Sequence, residues 1–124
     1  MTDFIISRIH SFKHAFSGLR YVLRTQKNAW IHTIATILVI SLALWLNIEP
    51  QGFAILILTI GTVWMAEFIN TALEAVVDLA SPHHHPLAKV GKDVGAAAVL
   101  IAAMSSIIIG IIILGPGLIQ KLGW

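Results

Sequence analysis

Long apolar runs separated by short polar segments dominate the chain and predict an all-α membrane protein. The three predicted transmembrane helices cover about residues 29–48, 53–79 and 94–114. Each run is long enough to cross a hydrocarbon core about 30 Å thick. Residues 49–52 and 81–86 contain helix breakers and predict turns, and Gly115, Pro116 and Gly117 predict the end of the third helix. We expect residues 1–124 to form a single domain.

Residues 4–24 combine apolar and basic side chains at helical spacing, which predicts an amphipathic helix lying in the membrane interface. The alternative is a basic helix packed on another protein element. Lysine and arginine favour the cytoplasmic side of a membrane, so their positions also predict orientation. They precede the first span or lie between the second and third: Arg8, Lys13, Arg20, Arg24, Lys27, Lys89 and Lys92. We therefore expect a cytoplasmic N terminus, although Lys121 argues weakly against it.

Composition agrees with a small integral membrane protein. Hydrophobic residues make up 57% of the chain and charged residues only 11%, which is unusual for a soluble globular domain. The chain has no cysteine, which excludes a disulfide framework, thiolate metal ligands and a cysteine nucleophile. The net charge of +2 is small, and we expect no nucleic-acid partner.

The second predicted span carries a polar stripe, which we define as Glu67, Asn70, Glu74 and Asp78. At 100° per residue these four side chains share one helix face roughly 80° wide. An ionisable residue at the centre of a spanning helix costs about 2.5–3.5 kcal/mol on insertion, so the three carboxylates require a compensating cation, metal or proton. Glu67 lies about 21 Å along the helix from Phe53, so the stripe is expected to run from the cytoplasmic half of the bilayer into the headgroups. The stripe therefore predicts a reaction or transport site at the cytoplasmic interface.

The predicted chemical role of each carboxylate in the polar stripe depends on how deep it lies in the membrane. Glu67 is the deepest carboxylate, which suits a general base that accepts a proton from a lipid alcohol. Glu74 and Asp78 are hard oxygen ligands that, with Asn70, can hold Mg²⁺. Lys92, beside Asp93, offers a cation for phosphate oxygens.

Each of these assignments has a structural alternative. Glu67 can form a hydrogen bond to a neighbouring helix, and Glu74 and Asp78 can pair with Lys89 or Lys92. A lysine-aspartate pair at a membrane boundary is often a simple anchor. His83, His84 and His85 are consecutive, so we interpret them as a solvated loop in preference to a metal site, and His10, His14 and His32 show no ligand spacing. Gly91, Gly95 and the alanines at 96–98 predict close helix packing, and the sequence contains neither a Walker A motif nor a Gly-x-Gly-x-x-Gly motif.

Two segments carry a family resemblance. EFINTALEAVVD at 67–78 and PLAKVGKDVGAAAVL at 86–100 resemble the signature of the prokaryotic diacylglycerol kinase family, and FKHAFSGLRYVLRTQKNAWIH near the N terminus resembles it more weakly. The segment HHPLAKVGKD is more similar to the corresponding segment of the Gram-positive branch, whose members phosphorylate undecaprenol. The resemblance implies a homotrimeric lipid kinase of the bacterial inner (plasma) membrane that uses ATP and Mg²⁺, with undecaprenol the preferred acceptor and diacylglycerol the alternative.

The resemblance also implies roles for individual residues. Glu67 would be the base, Asn70 and Asp78 would position the substrate, and Glu74 would bind the metal. Lys92 and Asp93 would contact the nucleotide and its metal. Where the family pattern can place a second metal-binding glutamate, this chain has Gln26, which offers an oxygen without a charge.

Two other classes of function stay open from the residues. A small proton- or cation-conducting membrane protein would use the carboxylates as a relay. A non-catalytic membrane partner would use its polar face for assembly. A relay does not need the phosphate-binding cation supplied by Lys92 on the following helix, which favours the kinase.

Overall fold

The protein is a bundle of three long helices preceded by a more exposed one. The structure, a computed structural model, describes residues 1–124 apart from the side chain of Thr2. Its helices are α1 (Thr2–Thr25), α2 (Lys27–Trp45), α3 (Pro50–Ala80) and α4 (Pro86–Leu122), and the described residues form no strand. By length and composition, α2, α3 and α4 can each cross a membrane. The predicted fold class, an all-α membrane protein with three spanning helices, is confirmed.

Helix α1 packs mainly on α2 and keeps most of its side chains exposed. The exposed side chains include large apolar ones, and Phe4, Phe12 and Phe16 are each about two-thirds exposed. An amphipathic helix needs an apolar surface against which to bury such a face, and a membrane interface provides one. Between α1 and α2, Gln26 adopts an extended backbone conformation (φ −100°, ψ 116°), so it separates the two helices without a long linker.

The turn between α2 and α3 lies earlier than predicted. Helix α2 ends at Trp45, and α3 already begins at Pro50, so the turn occupies 46–49 and not 49–52. Asn47 has a positive φ of 53°, a conformation that asparagine tolerates better than most residues. Proline is favourable at the first helical position because its fixed φ is helical and its missing N–H has no partner to lose there.

Helix α4 also differs from the prediction, because it continues through Gly115, Pro116 and Gly117 to Leu122. A proline inside a helix removes one backbone hydrogen bond, but ending the helix leaves several carbonyl groups without partners. In an apolar environment the second alternative is the more costly one. The predicted end at residue 114 was therefore wrong.

One end of the bundle is closed by apolar packing. Ala43, Leu56 and Leu114, one from each long helix, are buried together there. Partly buried apolar residues surround them: Val39, Leu42, Leu46, Ile48, Phe53 and Ile113. We call this region the apolar end.

Lys121 stabilises the same end. Its Nζ donates to the backbone carbonyl of Trp45 (3.3 Å) and lies 5.1 Å from the centroid of the Trp45 ring. A cation near the carbonyl end of a helix and over an indole ring is favourable in both respects. Lys121 therefore has a packing role at the end of α2. This role explains its position whichever way the chain is oriented in the membrane.

Candidate active site

The polar stripe of α3 runs from a buried to an exposed environment along the helix. Glu67 is 1% exposed, Asn70 is 8% exposed, Glu74 is partly buried, and the side chain of Asp78 is 65% exposed. The predicted order of depth is thus the order of burial in the folded chain. The stripe divides into three parts with different surroundings: Glu67 faces His32, Asn70 bonds to Glu74, and Asp78 pairs with Lys92.

Glu67 faces α2, where its nearest charged or ionisable neighbour is His32. The distance between His32 Nε2 and Glu67 Oε2 is 3.6 Å, and both atoms are buried without a hydrogen-bond partner. Thr71, one turn further along α3, donates its hydroxyl to the Glu67 backbone carbonyl (2.9 Å) and leaves the carboxylate free. The deepest carboxylate of the stripe is therefore placed against an imidazole.

A cleft between α2, α3 and α4 lies beside this pair, and we call it the polar cleft. Asn70 donates from Nδ2 to Glu74 Oε1 (3.2 Å), whereas Asn70 Oδ1 is buried and has no partner. The lining of the polar cleft combines polar side chains with a few apolar ones: Gln26, Asn28, Ile31, His32, Asn70, Glu74, Ala96, Val99, Leu100 and Ala103. The folded chain thus brings Gln26 to the same cleft as Glu74, although 48 positions separate them in the sequence.

Gly95 on α4 determines how closely α3 and α4 approach at this cleft. A Cβ atom at position 95 would lie 2.3 Å from Asn70 Oδ1 and 3.1 Å from Leu73 Cδ2. Gly91 similarly faces Val77 of α3. Both glycines therefore lie where α4 packs on α3 within one chain, which agrees with the close helix packing predicted from the sequence.

The exposed end of the stripe forms ion pairs. Asp78 pairs with Lys92 of α4, and Lys89 pairs with Asp93 one turn along α4 at 2.5 Å. The ion pair with a lysine of α4, which was the structural alternative to metal binding by Asp78, is therefore present. Lysine has three N–H donors, so Lys92 can keep Asp78 and still donate to a phosphate oxygen.

A second cleft, which we call the apolar groove, begins at His32 and follows the bundle away from the stripe. Its lining is mostly hydrocarbon: Ile31, His32, Ala35, Thr36, Val39, Leu56, Thr59, Ile60, Val63, Trp64, Ala103, Ser106, Ile107 and Gly110. Several polar groups along it are already engaged within the chain. Trp64 Nε1 donates to Thr36 (3.1 Å), Thr59 to the Ile55 carbonyl (2.7 Å), and Ser106 to the Ala103 carbonyl (2.7 Å).

The oxygen atoms of the polar cleft fit a magnesium ion that is delivered with phosphates. Mg²⁺ is usually held by one or two carboxylates together with phosphate and water oxygens. Glu74 supplies one carboxylate and the Gln26 amide supplies one neutral oxygen, whereas Asn70 Oδ1 is buried against Gly95. No group of three or more histidine, aspartate and glutamate side chains gathers around one point in the part of the chain that the structure describes. The donor set therefore suits a nucleotide-bound ion better than a permanent metal centre.

His32 faces Glu67 although it shows no ligand spacing in the sequence, and Asn28 and Trp64 line the two clefts although they belong to no motif. One signal for His32 was available, because an ionisable residue inside an apolar spanning segment is itself a sign of function. The loop that contains His83, His84 and His85 has a local structural role. His85 accepts a hydrogen bond at Nδ1 from the backbone N–H of Leu87 (3.2 Å) and so caps α4, and Ser81 donates to the His83 carbonyl (2.9 Å).

Comparison with known proteins agrees with the resemblance seen in the motifs. A family model described as prokaryotic diacylglycerol kinase matches residues 13–114. This match contains Gln26, His32, the polar stripe, Lys92 and Asp93. It also extends beyond the two motifs into α1 and most of α4.

Relatives with two different names cover most of the chain. A "Diacylglycerol kinase" of Synechocystis sp. is 44% identical over 89% of this chain, which spans only 63% of that protein's length. An "Undecaprenol kinase" of Bacillus subtilis is 39% identical over 87% of this chain and 88% of its own. A "Diacylglycerol kinase" of Escherichia coli is 32% identical over 83% of this chain and 90% of its own. The family and these names indicate a lipid kinase, a phosphotransferase that works in a membrane.

Proposed function

The chain belongs to the prokaryotic diacylglycerol kinase family, and from this membership we propose that it transfers the γ-phosphoryl group of ATP to the hydroxyl group of a membrane lipid. One observation carries the proposal for this chain. The same face of α3 holds a carboxylate buried at 1% exposure and, two turns away, a carboxylate that opens to the polar cleft. A lipid kinase needs these two environments, one for a base and one for a nucleotide with its metal.

The proposed roles are those that the family resemblance implies for these side chains. Glu67 accepts the hydroxyl proton, Asn70 and Asp78 position substrate groups, and Lys92 and Asp93 contact the nucleotide. Glu74 and Gln26 hold Mg²⁺ bound to ATP. Phosphoryl transfer requires little covalent participation by a protein and depends mainly on alignment and on positive charge near the phosphate oxygens. When bound, Mg²⁺ supplies part of that charge, and Lys92 supplies more.

Undecaprenol is the acceptor we propose, with diacylglycerol the alternative. Three groups along the apolar groove that could bind ester carbonyls are engaged within the chain, namely Trp64, Thr59 and Ser106, and His32 Nε2 faces Glu67. A polyisoprenol brings a single terminal hydroxyl on a hydrocarbon chain, so it leaves no carbonyl without a partner. An apolar site separates related lipids by only about 1–3 kcal/mol for each small difference, so we expect a preference and not an absolute choice.

A lipid panel tests the reaction and the acceptor together. The purified protein is mixed with radiolabelled ATP and either undecaprenol or diacylglycerol in the same mixed micelles, at several surface concentrations of lipid. We expect lipid-dependent transfer of label, with the higher kcat/KM for undecaprenol. A preference for diacylglycerol would overturn the proposal that undecaprenol is the acceptor. Absence of transfer to either lipid would count against the proposed kinase activity.

A proton- or cation-conducting protein is the second candidate, because buried carboxylates can form a relay. The observed contacts favour the kinase, since the stripe does not form one continuous polar file. Glu67 contacts His32, Asn70 contacts Glu74, and Asp78 pairs with Lys92. Ion flux into sealed vesicles without ATP or lipid would favour the relay, whereas label transfer without flux would favour the kinase.

We also propose an assembly and an orientation. As a family member the protein would act as a homotrimer in the bacterial inner (plasma) membrane, and the basic residues before α2 favour a cytoplasmic N terminus. Light scattering of an active preparation in mild detergent tests the assembly, because monomers alone would exclude a trimer. Labelling of a cysteine introduced at position 3 in intact cells tests the orientation, and labelling by a membrane-impermeant reagent would contradict it.

A further inference from the structure

His32 and Glu67 form a pair in which each side chain lacks another partner. His32 Nε2 and Glu67 Oε2 are 3.6 Å apart, and neither atom makes a hydrogen bond. The side chain of His32 is 13% exposed and that of Glu67 is 1% exposed, so water has little access to either. Buried polar atoms without partners are unfavourable, and a hydrogen bond between these two atoms would remove both penalties.

A small movement satisfies both atoms. A hydrogen bond between a ring N–H and a carboxylate has a length of about 2.7–2.9 Å, so the pair must close by a little under 1 Å. An ionised carboxylate only accepts hydrogen bonds, so the imidazole has to donate through Nε2. Catalytic hydrogen bonds are often long in substrate-free structures and shorten when substrate binds.

Aromatic packing holds the imidazole in place for this contact. The rings of His32 and Trp64 meet edge to face, with centroids 6.1 Å apart and planes at 66°. Trp64 is itself fixed, because its Nε1 donates to Thr36 of α2 and its ring packs on Phe68. The indole therefore restricts the ring of His32 on the side away from the polar cleft.

The position of His32 also connects the base to both clefts. His32 lines the polar cleft and the apolar groove, whereas Glu67 lines neither. The imidazole is therefore accessible from both clefts and lies against the buried carboxylate.

We propose that His32 is the positioning residue of the base, a role that rests on the lipid kinase function proposed above. Its Nε2–H donates to Glu67 Oε2 when the acceptor is bound and so fixes the rotamer of the carboxylate. The hydroxyl proton passes to the other carboxylate oxygen as the oxygen–phosphorus bond forms and ADP leaves. The imidazole keeps its own proton throughout and contacts no reacting atom.

Two substitutions at one position separate this role from simple packing. His32→Gln keeps an N–H donor at a similar reach, whereas His32→Leu keeps apolar volume and removes the donor. We expect His32→Leu to lower kcat by about 10- to 100-fold with the KM for ATP and lipid within twofold, because a misplaced reacting group costs about that much. His32→Gln should recover most of kcat. His84→Leu, in the exposed loop, is the matched control and should leave kcat unchanged.

The contrary results are equally specific. Equal loss in the glutamine and leucine variants would overturn the proposal, because the donor would then be irrelevant or the imidazole itself would transfer the proton. A loss that appears in KM and not in kcat would overturn it too, since it would indicate substrate binding.

A second measurement does not depend on activity. In protein labelled with ¹⁵N-histidine and saturated with undecaprenol, the Nε2 resonance of His32 should shift when Glu67 is replaced by glutamine, whereas that of His84 should not. An unchanged His32 resonance would overturn the contact. If the wild-type protein transfers no label to any lipid but the resonance shifts, the proposed function has failed and the pairing has not.

Discussion

The two ends of the three-helix bundle are built from the same helices but bury opposite kinds of groups. At the apolar end, Ala43, Leu56 and Leu114 pack with hydrocarbon neighbours only. At the other end, which we call the polar end, the buried atoms include His32 Nε2, Glu67 Oε2 and Asn70 Oδ1, and all three lack a hydrogen-bond partner within the described residues.

This difference indicates which end serves stability and which serves function. An unpartnered buried polar group costs about 1–3 kcal/mol, so three of them in one region oppose folding. Protein sequences retain such groups mainly at functional sites, where other parts of the fold compensate for them. The comparison predicts that changes at the polar end affect turnover more than stability, and that changes at the apolar end do the reverse.

The largest effect should come from Glu67→Gln at the polar end. The amide keeps the size of the side chain but cannot accept the hydroxyl proton, so lipid phosphorylation should fall by at least about 100-fold. The protein should still fold, because the change removes a buried charge. Label transfer to lipid measures the rate, and Glu49→Gln, just before α3 at the opposite end of that helix, is the control. Near-normal turnover would exclude Glu67 as the base.

Leu114→Ala should give the largest effect at the apolar end. Removal of this side chain, 7% exposed and outside the apolar groove, leaves a cavity between the three long helices and should lower the free energy of unfolding by about 2 kcal/mol. The kcat of the folded protein should stay within twofold of wild type. Leu58→Ala is the matched control, since Leu58 is 72% exposed. Unfolding in detergent followed by circular dichroism provides the measurement, and a specific loss of kcat would contradict the division between the two ends.

Gly95→Ala should affect both properties, because Gly95 packs directly against the polar end. The new Cβ must displace Asn70 Oδ1, from which it would otherwise be 2.3 Å away. We expect turnover to fall about tenfold and the free energy of unfolding to decrease by about 1 kcal/mol, since overpacking outweighs the better helix propensity of alanine. Gly61→Ala, where a Cβ meets no atom within 4 Å, should be neutral or slightly stabilising. Similar behaviour of the two variants would contradict the close approach at Gly95.

The smallest effect should come from Glu74→Gln. The variant can still bond to Asn70 but loses the carboxylate charge of the polar cleft, so the magnesium concentration for half-maximal activity should rise about tenfold. At saturating magnesium most of the rate should return. A magnesium titration of lipid phosphorylation measures the effect, with Glu49→Gln again as the control. An unchanged titration would show that Glu74 is not a ligand.

Local sequence rules predicted which segments are helical better than they predicted the residues at which the helices begin and end. The long apolar runs predicted α2, α3 and α4, because a chain in an apolar environment has to satisfy its backbone hydrogen bonds internally. Pro50 and Pro116 were both interpreted as breakers. The first is in fact the start of α3, and the second lies inside α4. A proline is compatible with either position, so the surroundings of the helix decide where it ends.

For the candidate site, helical periodicity is enough to predict the polar stripe, because it places Glu67, Asn70, Glu74 and Asp78 on one face and in order of depth. The partner of each side chain could not be predicted in this way, because it depends on how the helices pack. His32 beside Glu67, Gln26 in the cleft of Glu74, and Lys92 against Asp78 are contacts between separate helices. Their geometry depends on the rotation of the helices and on how closely the helices approach each other. Side-chain packing, such as that of Gly95 against Asn70, sets both quantities, and no local sequence pattern predicts them.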